Sequence, residues 1–127
     1  IGLSYKPNTS IVEESAAIHF IKGFIKLYPK IKIHAYDPLP LALVNARQII
    51  GNKIYYSPSL NSCLRHSTLW IITTPHPDFI GINYRHVKIN PTIVIDIWRI
   101  LNPARLGSKA KHITIGKFTH HYLKSEQ

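Results

Sequence analysis

Gly2-Leu3-Ser4-Tyr5-Lys6-Pro7-Asn8-Thr9, running on to Glu13-Glu14-Ser15 and an apolar helix, is the stretch that decides how the chain reads. A short apolar strand empties into a polar loop with one lysine, and an acid-acid-serine helix start follows. Strand, loop and helix in that order open a βαβ unit. They also bring backbone N–H groups and an ammonium toward a place where an anion can sit. The design reads phosphate, in a generic form that many nucleotide-binding folds share.

The periodicities downstream alternate. Ala17, Ile18, Ile21, Phe24, Ile25 and Tyr28 follow the i, i+3, i+4, i+7 spacing of an amphipathic helix from Ser15 to Tyr28, which Pro29 stops. Ile31 to Tyr36 alternates as a strand, and Asp37-Pro38 closes it with a turn. Pro38 and Pro40 set the start of a helix through Ile50, with Gly51 as its C-terminal cap. Ile54-Tyr55-Tyr56 is a short strand, and Ser57-Pro58-Ser59 opens a short helix to about His66. Leu69 to Ile72 and Thr92 to Ile95 are continuous apolar runs, as expected of parallel strands buried on both faces. The loop Thr73-Thr74-Pro75-His76-Pro77 lies between them, with an irregular or weakly helical stretch from Phe79 to Val87. Ile113 to Ile115 reads as a last edge strand before a polar tail. Strands separated by helices predict an α/β fold: a three-layer, doubly wound, mainly parallel sheet of Rossmann-like form in a single domain, with strand order 3-2-1-4-5-6.

Composition bounds the function. The 127 residues suffice for one domain with a real core, and 45% hydrophobic content argues against disorder. No apolar run approaches the length of a membrane span and no signal peptide opens the chain, so a soluble cytoplasmic protein is expected. The chain begins at Ile1, within a strand, and contains no methionine, which reads as a piece of a longer protein. Sixteen basic residues against 6 acidic ones give a net charge of +10, which favours an anionic partner: a nucleotide, a polyphosphate or nucleic acid. The lysines and arginines are scattered without an aromatic-interleaved basic run, so a solvated basic surface accounts for them equally well. The lone Cys63 excludes an internal disulfide and reads as buried filler. His120 and His121 are adjacent, so their side chains diverge, and no acid or cysteine at zinc-like spacing accompanies them; no metal site is expected.

The motifs GLSYKPNT (2–9), EES (13–15), HAYDP (34–38), IITTPHPDF (71–79), DIWRIL (96–101) and ITIGK (113–117) resemble, in order and spacing, the C-terminal domain of the UDP-glucose/GDP-mannose dehydrogenase family. They cover nearly the whole chain. The resemblance implies a nucleotide-sugar dehydrogenase that oxidises a sugar C6 alcohol twice to a carboxylate using two NAD. It implies that NAD is held mainly by an N-terminal Rossmann domain and that a central helical region carries the catalytic cysteine and the contacts of a homodimer or higher oligomer. Residues 1–127 are then the third, nucleotide-sugar-binding domain, inactive alone, with a UDP- or GDP-sugar as partner rather than nucleic acid or a membrane. Surface or capsular polysaccharide precursors would be the product. Nothing in the chain resembles the Gly-rich dinucleotide fingerprint or the cysteine segment, so no residue here is expected to be catalytic, and the residues that touch NAD are left open.

By the same resemblance, Lys6 contacts the substrate diphosphate, which suits a compact ammonium on a flexible stem. Tyr5 beside it either offers its backbone to phosphate or packs. Glu14 and Ser15 match the acid-serine pair that opens the family's helix, and capping explains them. The family often carries acids at the positions of Ser10 and Ile11 and an arginine, on the NAD side of the cleft, at that of Glu13; that contact is not carried over. Asp96-Ile97-Trp98-Arg99 departs from a family motif, Asp-Gly-Arg followed by Asn or Arg, in placing Trp98 where the nucleoside-binding arginine stands. Trp98 is suited to stacking on a base and Arg99 to supplying charge, or Trp98 belongs to the core. Asp96, at a strand's carboxyl end, lies where open parallel sheets bind ligands, or it holds its own loop. A stand-alone nucleotide- or nucleic-acid-binding module of Rossmann-like form is the rival reading, and the positive charge supports it.

Overall fold

The computed structural model describes residues 1–87 and 91–116, and of His86 the backbone only. Lys117, the polar tail and the His120-His121 pair lie outside the described residues. The opening stretch runs up the middle of the molecule. Gly2 N donates to Tyr36 O at 2.8 Å on one side, while on the other the Ile1 amine donates to Ile71 O at 2.6 Å and Thr73 N donates to Ile1 O at 3.0 Å. These bonds join two parallel ladders. One is β1 (His34–Ala35) with β2 (Tyr55–Tyr56), His34 opposite Tyr55. The other is β3 (Leu69–Ile72), β4 (Ile93–Asp96) and β5 (Lys111–Thr114), with Leu69 opposite Ile93 and Ile93 opposite Lys111. Counting the opening stretch as the first strand, the order across the molecule is 3-2-1-4-5-6, as the sequence predicts.

The opening stretch is not itself a regular strand. Its ladder stops because the N–H groups of Leu3 and Ser4 turn to the Asp37 carboxylate instead of a neighbouring strand. The predicted second and third strands are likewise trimmed to two residues each.

Helix α1 (Ala16–Leu27) begins where the Ser15 hydroxyl accepts from Ile18 N, and its apolar stripe buries Ala17, Ile18 and Ile21. Helix α2 (Pro40–Ile50) starts with a proline in its first turn and stops at Gly51, whose φ of 74° lies in the left-handed region. Leu3, Val12 and Ala35 form a core with these helices, α2 contributing Ala42, Ala46 and Ile50. Helix α3 (Leu60–Arg65), capped by Ser59, and helix α4 (Tyr84–Val87) lie over a second core built from Trp70, Ile72, Phe79, Val94, Leu101 and Leu106.

Burial on both faces of β3 and β4, expected from their continuous apolar runs, does not hold. The pattern along β3 is exposed, buried, half-buried, buried. Trp70, Ile72 and Val94 face the second core, whereas Leu69 is 41% exposed and Ile71, Ile93 and Ile95 are half-buried. Helices α1 and α2 cover only the half of the sheet built from the opening stretch, β1 and β2. The later connections run over the other face. A cavity of about 340 Å³ bounded by Phe20, Phe24, Leu69 and Ile71 marks the bare part. Among the described residues no helix is long and apolar enough to cross a membrane.

Candidate functional site

In a parallel sheet every strand ends on the same edge, and here five loops gather there. Asp37 organises the first two. Its carboxylate is 4% exposed and accepts from Leu3 N (2.9 Å), Ser4 N (3.0 Å) and Ser4 Oγ (2.9 Å) through one oxygen, and from Leu39 N (2.9 Å) through the other. The sequence reading gave Asp37 only a turn, and its partners lie too far away in sequence for local spacing to reveal. The arrangement also revises the expected anion seat: Leu3 N and Ser4 N serve Asp37, and Tyr5 N donates to Ile11 O at 2.8 Å. The charge left to meet an anion is the ammonium of Lys6.

Lys6 is exposed and makes no ion pair among the described residues. It borders a small crevice with Asn8, Asp37, Thr74 and His76. Asn8 turns the loop back with a φ of 61°. Tyr5 is 64% exposed, so it does not pack in the core.

The loop after β3 locks onto this stretch. Thr73 Oγ1 donates to Ile1 O at 2.8 Å and also reaches Gly2 O, and Thr74 Oγ1 donates to Ser4 O at 3.0 Å. The approach requires glycine at position 2. Its φ is 90°, and a Cβ there would lie 2.6 Å from Thr74 Cβ.

The loop after β4 is held by Asp96, which is fully buried and accepts from Ile100 N (3.2 Å) and Leu101 N (2.9 Å). His112 Nε2 on β5 donates to the same carboxylate at 3.2 Å. Asp96 therefore holds its own loop, one of the two readings the sequence allowed; His112 was not foreseen. Trp98 is no core residue. It is 53% exposed, and its indole N–H donates to Thr73 O at 3.0 Å. Through Thr73 and Thr74, the loop carrying Tyr5 and Lys6 and the loop carrying Trp98 are stitched into one rim. Arg99 points elsewhere. With a φ of 55°, it sends its guanidinium to Ile115 O (2.8 Å from Nη2, 3.1 Å from Nε) and to Gly116 O, at the end of β5. As placed, its N–H groups serve backbone carbonyls.

The remaining candidates are structural. Ser15 is buried and caps α1, while Glu14 is exposed with a φ of 58° and its carboxylate lies 3.4 Å from His19 Nε2. Glu13 accepts from the adjacent Val12 N at 3.2 Å. Cys63 is buried, its thiol donating to His34 O at 3.3 Å, and burial pushes its pKa up, which keeps it a protonated thiol. No group of three or more metal-ligating side chains occurs among the described residues.

A parallel α/β sheet whose C-terminal rim carries, among the described residues, the Lys6 ammonium and the exposed Trp98 indole has the form common to nucleotide-binding domains. Comparison with known proteins narrows this. The profile of the UDP-glucose/GDP-mannose dehydrogenase family, UDP binding domain, matches residues 1–103, and the chain belongs to that family. It is 28% identical over 98 residues to the UDP-glucose 6-dehydrogenase TuaD of Bacillus subtilis, covering 76% of this chain and 20% of that protein. It is 28% identical over 106 residues to the UDP-glucose 6-dehydrogenase of Rickettsia conorii, covering 80% of this chain and 23% of that protein. A UDP-glucose dehydrogenase from the hyperthermophilic archaeon Pyrobaculum islandicum superposes with a TM-score of 0.66 at 26% identity, over 89% of this chain and 23% of that one. The chain thus spans between a fifth and a quarter of the length of the relatives it matches.

Proposed function

We propose that this chain is the nucleotide-sugar-binding lobe of an NAD-dependent nucleotide-sugar 6-dehydrogenase, a cytoplasmic enzyme of polysaccharide precursor synthesis that works as a homodimer or higher oligomer. Residues 1–127 form its C-terminal domain, and NAD and the catalytic cysteine belong to the rest of the polypeptide. The residues present do not suit NAD: the six glycines include no closely spaced G-x-G-x-x-G set to let a pyrophosphate approach the backbone. The observation that carries the reading is the Lys6 ammonium, without an ion pair among the described residues, on the rim that Thr73 and Thr74 share with the Trp98 indole.

The division of labour follows from the chemistry. Lys6 neutralises the diphosphate, and the Trp98 face stacks on the base, its edge held by Thr73. The sugar then points off the rim toward the wall that supplies the oxidation. A UDP-sugar is favoured over a GDP-sugar because the matched profile is that of a UDP binding domain.

Calorimetric titration of the full-length enzyme with UDP tests this. Lys6→Ala is expected to weaken binding roughly ten- to a hundredfold, the range for loss of one charge-assisted contact. An unchanged dissociation constant would refute the assignment. The net charge of +10 supports one competitor, a nucleic-acid-binding module. Under that reading a single-stranded oligonucleotide would bind more tightly than UDP, and Lys6→Ala would matter no more than any other lysine change.

A further inference from the structure

His76 borders the Lys6 crevice, and neither its burial nor its turn accounts for all of its polar atoms. Pro75 and Pro77 restrict the backbone on either side. The ring packs against Phe79, centroids 5.6 Å apart, and Nδ1 accepts from Asp78 N at 3.1 Å as the cap of a 3-10 turn over Pro77–Phe79. An imidazole that accepts through Nδ1 carries its proton on Nε2. Nε2 has no partner among the described residues. Nor does any buried side-chain nitrogen or oxygen there lack one, so this N–H belongs to the 12% of the side chain still open to solvent. An N–H donor without a partner among the described residues is therefore carried by a residue that lines the same crevice as Lys6.

We infer that His76 is a substrate-positioning residue whose Nε2–H donates to a diphosphate oxygen of the nucleotide that Lys6 neutralises. The inference rests on the nucleotide-binding reading above and adds a directional contact to it. Lys6 is a flexible point charge that accepts phosphate from many angles, whereas a ring fixed by two prolines and a turn sets one angle. The Asp78 carboxylate lies 3.6 Å from Nδ1, on the opposite edge of the ring, and the Asp37 carboxylate is saturated by four donors. Neither carboxylate accepts from Nε2.

Two replacements separate the two ring nitrogens. His76→Asn keeps an oxygen that accepts from Asp78 N and deletes the outer donor; His76→Gln extends an amide N–H toward the place of Nε2. Calorimetry with UDP on the full-length enzyme is expected to show affinity reduced about tenfold for Asn and nearly unchanged for Gln, with similar thermal midpoints. The His76 imidazole nitrogen resonance of the wild type should shift on adding UDP. Unaltered affinity in His76→Asn, or an unmoved resonance, while Lys6→Ala still weakens UDP, would overturn this inference alone. Failure of the wild type to bind UDP would overturn it together with the functional reading.

Discussion

Asp37 shows how one buried carboxylate sets the shape of a rim. Its four bonds order the turn from Leu3 to Ser4, and that turn aims Tyr5 and Lys6 outward. Asp37→Ala leaves three backbone donors and the Ser4 hydroxyl without their partner, and the expected cost is about 2–4 kcal/mol of unfolding free energy, read by urea denaturation. UDP affinity should fall in the same variant even though the Asp37 carboxylate is occupied by Leu3, Ser4 and Leu39. Gly2 acts by its lack of a side chain, since any Cβ would strike Thr74. The rim positions of Lys6 and Trp98 were legible in the sequence because each lies just after a predicted strand within a recognisable motif. Asp37, His112 and the occupied guanidinium of Arg99 were not, because their partners lie 16 to 34 residues away.

The helices α1, α2 and α3 begin and end close to where the sequence says, for local reasons, whereas not every strand does: β5 runs over Lys111–Thr114 rather than Ile113–Ile115. Ser15 caps α1, and Ser15→Ala should cost about 1 kcal/mol in the same denaturation assay. A less local feature ties β1, β2 and α3 together: His34 stacks between Tyr55 (4.7 Å) and His66 (4.8 Å). Burial, then the neighbouring His66 and Lys32, hold the His34 pKa below its ordinary value. The folded state thus prefers neutral His34, and the unfolded chain takes up a proton first as pH falls. The stability this gives is present above about pH 6.5 and lost progressively below it. Thermal midpoints should decline from about pH 7 toward pH 5, and His34→Phe should flatten that slope. A slope unchanged in the variant would assign the effect to other groups.

Over the whole molecule, the two faces of the sheet are unequal. Along β3, Ile72→Ala removes a fully buried side chain and should cost about 2–5 kcal/mol, whereas Leu69→Ser on the half-open face should change stability by less than about 1 kcal/mol. Equal losses would mean that the bare face is covered. The alternation of strands and helices and the helix caps were contained in the sequence, because each depends on residue type and spacing within a single segment, and the family followed from motifs whose order runs along the whole chain. Which face of β3 is bare, where the guanidinium of Arg99 goes, and how Thr73 and Thr74 join the loops of Lys6 and Trp98 were decided only by the tertiary structure. Those outcomes depend on which distant segments meet, and a periodicity, which reports that a residue is apolar or polar, is silent on what arrives opposite it.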